Sequence, residues 1–199
     1  MHYINKIAAT AAALGCVLST PLYAADQAGK TQPAQFSYNY AQISFVDLDA
    51  GFEGLMIGGS HDVGQDLAIS ASYMSTDSSS ALDYDVFTIG LVHHQRLAQI
   101  PRSDLALHGE ILHASLDYMR AGSIRSDDDN GLRFGGMIRH QVQKNLEVFG
   151  DLSYSSLYDH DLGLTAGANL ELNEQFAVIA SVELSDDDML LLGIRMELK

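Results

Sequence analysis

Two places in the chain gather side chains that could activate water. Asp83 and Asp85 flank Tyr84, and Asp159, His160 and Asp161 stand together further on. A carboxylate can hold an imidazole as general base, and paired carboxylates can take the proton of an attacking water. Asp83, Asp85, Asp159 and His160 are therefore the candidates for a hydrolase. His113 and Ser115, two apart and so on one face of a strand, would need only a neighbouring acid to form a nucleophilic trio. The bland readings are solvated acidic loops for the first set and an interfacial histidine for the second. Eight histidines suggest a metal, yet His93 and His94 are adjacent and face opposite sides of a strand, and the others lack ligand spacing. Asp127, Asp128 and Asp129 lack the other loop ligands and the terminal Glu of a dedicated calcium loop. The sequence implies no metal and no cofactor.

The elements that must position these groups are strands. Between Leu162 and Leu198 the even-numbered residues are predominantly apolar, as in Leu162, Leu164, Leu170, Phe176, Val178, Val182, Leu190, Leu192 and Ile194. The intervening face carries Thr165, Asn169, Glu171, Ser181, Glu183, Arg195 and Glu197, which is too polar for the interior of a soluble sandwich. A sheet apolar outside and polar inside belongs in lipid, and a closed barrel is the way for strands to cross a bilayer. The pattern predicts a closed antiparallel up-and-down transmembrane β-barrel of about ten strands: 35–46, 52–61, 67–75, 84–94, 104–116, 131–141, 146–156, 162–172, 176–184 and 189–199. Eight strands result if the first hairpin is not fully paired.

Keeping the apolar phase outside turns a second set of titratable groups inward: His108, Glu110, Arg133, Arg139, Glu147, Asp151, Glu183 and Arg195. Acid and base alternate between neighbouring strands, within reach of cross-strand pairing. This set reads either as an ionic network filling a small barrel or as a narrow polar conduit; a ring of eight to ten strands leaves little space beyond its own side chains.

The chain opens with Lys6, an apolar Ala-rich run over residues 7–18 and a small residue at Ala24, which reads as a signal peptide over residues 1–24. Residues 25–34 read as a flexible leader and 35–199 as the barrel. The one cysteine, Cys16, lies in the signal, so the mature chain is expected to hold no disulfide. Lys and Arg number 11 against 26 Asp and Glu, for a net charge of −15 at pH 7; such a chain repels nucleic acid. Connections alternate between tight turns (62–66, 94–103, 142–145, 173–175) and acidic ones (47–51, 76–83, 118–130, 157–161, 185–188). Short turns face the periplasm in such barrels, so the acidic set is expected outside the cell, offered to cations or surface partners.

With its signal, alternating connections and final strand, the chain resembles the small outer-membrane β-barrel proteins of Gram-negative bacteria, broadly the OmpA-transmembrane-domain-like group. The resemblance implies residence in outer-membrane lipid and recognition by the barrel assembly machinery, with Gly193, Met196 and Leu198 matching the spacing of the C-terminal assembly signal. Leu198 stands where that signal has an aromatic, and Lys199 follows. The implied role is structural, surface-interacting or weakly permeating. Two alternatives stay open: a surface hydrolase, since omptin-type proteases and lipid A-modifying barrels work from such walls and rims, and a soluble periplasmic barrel binding an apolar ligand. Glu110, Arg133 and Arg139 discriminate the last, because a soluble barrel would turn them outward into water.

Overall fold

The computed structural model describes residues 36–78, 82–120, 123–158 and 160–198. The expected signal peptide and leader lie outside the described residues. Ten strands follow one another: β1 (Tyr40–Leu48), β2 (Phe52–Asp62), β3 (Leu67–Ser78), β4 (Leu82–Arg96), β5 (Ser103–Arg120), β6 (Ser123–Gln143), β7 (Leu146–Ser155), β8 (Asp161–Glu171), β9 (Phe176–Leu184) and β10 (Met189–Glu197). Each pairs antiparallel with its neighbours in sequence, and β1 pairs with β10, so the sheet closes on itself. Every strand thus has two partners, which removes the unpaired backbone that lipid could not satisfy.

The even-numbered phase of β8 to β10 is the outer wall. Leu162, Leu164, Leu170, Leu192 and Ile194 are exposed, while Ala177, Ile179, Ser181, Leu191 and Arg195 are buried inside. The outer face continues through Ile43, Phe45, Leu55, Ile57, Ile69, Tyr73, Phe87, Ile89, Leu107, Ile111, Phe134 and Leu152. So large a continuous apolar surface is untenable in water and is what hydrocarbon requires. From Leu162 to Leu170 the strand rises about 27 Å, which at a tilt of about 40° spans roughly 20 Å of bilayer, close to the height of a lipid-facing belt.

The lumen is layered. Near the terminal end, where β1 begins and β10 finishes, Tyr38, Ala68, Val92 and Ala106 form an apolar cluster joined by Phe36 and Met137. Towards the opposite, far end, Val86, Leu112 and Ala114 form a second, flanked by Met74, Tyr84 and Leu157. Charged groups occupy the level between. The sequence reading anticipated only a polar interior.

Several strands run a few residues past the expected ranges, and two differences change the architecture. Strand β1 begins at Tyr40 rather than residue 35, because Phe36 to Asn39 leave the wall and enter the lumen, where Tyr38 is buried. Residues 118–130, expected as an acidic loop, belong largely to strands: β5 and β6 remain paired through Tyr118–Arg125 and Arg120–Ser123. Pairing of β6 with β7 starts only at Arg133 and Ser155, so the β5–β6 hairpin overhangs β7 by about ten residues of β6. Residues 124–128 are exposed on both faces. With no core beneath it, this stretch needs no apolar alternation, and a reading of period two passes over it.

Candidate functional site: the barrel lumen and its rim

The inward parity of β5 to β10 gathers the charged residues into separate groups. At mid-lumen His108 on β5 places Nε2 2.9 Å from Asp151 Oδ2 on β7, reaching across β6. It can do so because Gly135 lies between them: a Cβ there would overlap the imidazole. Glu110 stands 4.0 Å from His108 Nδ1 and 3.8 Å from Arg133. Glu183, on the far side of β8, accepts a long hydrogen bond from Thr165.

Nearer the terminal end Arg139 makes a fork with Glu147, Nε and one terminal nitrogen each 2.8 Å from a carboxylate oxygen. Its remaining terminal nitrogen donates to the carbonyl of Ser37 at 3.1 Å, and the guanidinium lies over the rings of Phe36 and Tyr38. Asn169 donates to the same Glu147 at 3.0 Å. The Tyr38 hydroxyl donates to Asp104 at 2.8 Å and its ring stacks on His94 at 3.9 Å. Asn39 and Asp62 exchange two further hydrogen bonds. These contacts hold residues 36–39 inside the terminal mouth. Sequence reasoning missed Tyr38 and Asp104: the spacing Phe36, Tyr38, Tyr40 is that of a strand, and only the inward Arg139 shows what draws the segment in.

Arg195 is held differently. Its Nε and one terminal nitrogen donate to Gln42 Oε1 at 3.2 and 3.0 Å, and it covers the ring of Tyr40 at 3.9 Å. Because Glu110, Arg133 and Arg139 all face the lumen, the outward placement that a soluble carrier would need is overturned.

The hydrolase candidates are dispersed. Asp83 and Asp85 point outward on β4, where Asp85 accepts the Tyr73 hydroxyl at 2.9 Å. His160 sits by the β7–β8 connection with Nδ1 2.9 Å from the Tyr154 hydroxyl. Strands β5 and β6 stand between these two places in the wall. Asp159 lies outside the described residues. His113 faces outward against Asn130, and Ser115 against Ser126.

The far rim is acidic by construction. Asp47, Glu53, Asp77, Asp83 and Asp117 are successive register partners across β1 to β5, all on the outward face. At the β9–β10 turn, burial and then Asp186, Asp161 and Asp49 raise the pKa of Asp187 above the usual carboxylate range. Burial and then Asp127, Asp129 and Asp128 likewise raise the Tyr158 phenol. The Tyr158 amide donates to Asp129, tying the β7–β8 connection to the overhanging hairpin. Of the three residues expected to form an assembly signal, Gly193 passes under Ser44, whose hydroxyl a Cβ would overlap, while Met196 and Leu198 take the outward phase.

A closed antiparallel wall with lipid-facing apolar side chains and an even strand number, whose first strand begins at the same end as its last strand finishes, defines a small outer-membrane β-barrel. No protein-family model matches the chain, and no curated protein matches it. Among solved structures it is similar to a KdgM porin in complex with disordered oligogalacturonate (8% identity, TM-score 0.49, covering 80% of this chain and 99% of that one). It is also similar to Neisserial surface protein A (12% identity, TM-score 0.47, 81% and 98%). A third likeness is to the N-terminal β-barrel domain of Pseudomonas aeruginosa OprF (12% identity, TM-score 0.44, 84% and 100%).

Proposed function

We propose that the chain is an integral outer-membrane barrel with a structural or surface-interaction role, its terminal end in the periplasm and its acidic rim outside the cell. The observation that carries this reading is the stoppered lumen. Leu112 and Ala114 near the far end, and Tyr38 and Ala106 near the terminal end, are each at most 3% exposed. With Arg139, Glu147, His108 and Asp151 locked between them, an ion would have to displace packed side chains and buried ion pairs to pass. The outward stripe anchors the barrel in lipid, and the acidic rim is the part presented to cations or surface partners. Gly193, Met196 and Leu198 serve recognition by the assembly machinery.

Planar-bilayer recording of the refolded chain tests this, with folding verified by heat-modifiable gel mobility. Inserted wild-type barrel is expected to give no resolved conductance steps. Steady ohmic steps of porin size from wild type would overturn the closed-barrel reading in favour of permeation.

A further inference from the structure

The lumen holds three arginines at the level of the membrane, and two of them face carboxylates: Arg133 faces Glu110 and Arg139 faces Glu147. Arg195 does not. It is 9% exposed, and its partners among the described residues are the amide oxygen of Gln42 and the ring of Tyr40, both neutral. Among the described residues Glu197, the next inward side chain on β10, forms no ion pair with it, and Glu197 Oε2 is buried without a hydrogen-bond partner. A buried guanidinium is costly unless an anion compensates it, and in a chain of net charge −15 the usual shortage is of cations.

Arg195 lines a luminal cavity of about 220 Å³, together with Gln42, Ser60, Asn169 and Ser181. Two of these offer unused polar atoms: Ser60 Oγ and Asn169 Oδ1 are buried without a hydrogen-bond partner. Asn169 already spends its amide nitrogen on Glu147, which fixes its oxygen as a free acceptor. Glu147, the carboxylate on the cavity wall, is taken up by Arg139 and Asn169. The open functions are therefore a guanidinium donor, a hydroxyl and an amide acceptor around a space that holds a few heavy atoms.

We propose that this cavity is a binding site for a small hydroxycarboxylate, its carboxylate on Arg195, its hydroxyl donating to Asn169 Oδ1, and Ser60 Oγ as an additional donor to the carboxylate. Gln42 and Tyr40 act as positioning residues, since they fix the guanidinium plane from one side and leave a terminal nitrogen free for the ligand. A guanidinium prefers a planar two-oxygen anion, which favours carboxylate over a point-like halide.

Glycolate is the probe, and the arginine Nε–Hε resonances of the refolded, isotope-labelled full chain are the readout; the Arg195 signal is identified by its loss in Arg195→Gln. Glycolate is expected to shift that resonance saturably with a dissociation constant of about 1 to 10 mM. Ethylene glycol should leave it in place, and Asn169→Leu should weaken glycolate binding several-fold. Arg195→Lys, which keeps the charge and loses the planar fork, should bind at least several-fold more weakly, as read on the Tyr40 ring resonances. An unmoved Arg195 resonance in folded wild type at about 100 mM glycolate overturns the proposal, as does an equal response to ethylene glycol. Should Arg195→Gln fail to refold, the Arg195 signal is assigned in wild type by its through-space contact with the Tyr40 ring, so the wild-type titration still decides the matter.

Discussion

Arg139 and Glu147 meet across β6 and β7 in a two-point fork, both contacts at 2.8 Å, while the arginine's third arm holds the carbonyl of Ser37. One guanidinium thus closes an ion pair in the wall and fastens the segment that stops the terminal mouth. Arg139→Ala leaves Glu147 buried without its counter-charge, and we expect a loss of about 3 to 5 kcal/mol in urea unfolding from lipid vesicles. Replacing both partners, Arg139→Met with Glu147→Leu, should recover most of that loss; a double variant as unstable as the single one would refute the account.

Gly135 makes room for the His108–Asp151 contact, because a Cβ at that position would overlap the imidazole. Gly135→Ala should cost about 1 to 3 kcal/mol through overpacking and displace His108 from Asp151. The readout is the His108 ring resonances by NMR, which should lose the signature of the hydrogen bond from Nε2 to Asp151. Unchanged resonances would show that the backbone yields instead.

Asp77 stands in register with Glu53 on one side and Asp83 on the other, and like charges placed directly opposite repel. Asp77→Asn is therefore expected to stabilise the barrel, by about 0.2 to 1 kcal/mol for each repulsive pair removed. The gain should shrink in high salt, where exposed charges are screened. Destabilisation at low salt would mean that the row is held by something other than the wall.

The raised pKa of Asp187 fixes a sign. The folded state holds that proton more tightly than the unfolded chain does, so the stability contribution of this group rises as pH falls through the folded pKa and is lost as pH rises above it. The unfolding midpoint by gel mobility should therefore rise on acidification through this window. Asp187→Asn should flatten the trend, and an identical trend in that variant would assign it to other carboxylates.

Strand number and wall parity were legible because period two survives wherever one face meets lipid, as from Leu162 to Ile194. The inward turn of residues 36–39 was not, since Phe36 and Tyr38 keep strand spacing and only their partner across the lumen, Arg139, distinguishes a plug from a wall. The apolar stoppers were hidden for a related reason. Leu112 and Ala114 inside the barrel and Ile111 outside it are the same kinds of residue, so type alone cannot tell a stopper from a belt. The luminal charges could be identified as inward, but which pairs form depends on gaps such as Gly135 and on reach across a strand. Arg195, alike in sequence to Arg139, ends with a neutral partner because its register neighbour is Gln42.

The overhang of β6 has one further consequence. A closed barrel has no edge strand, yet above Arg133 this one does, because β7 stops and β6 continues. Bare backbone at such an edge invites a second molecule to add its own strand and so begin aggregation. Asp127, Asp128 and Asp129 lie on that stretch, with Tyr158 reaching over to occupy the carbonyl of Asp127 and the carboxylate of Asp129. Charge of one sign and a capping tyrosine are what keeps an exposed edge solitary, so the acidic run guards the chain against its own copies.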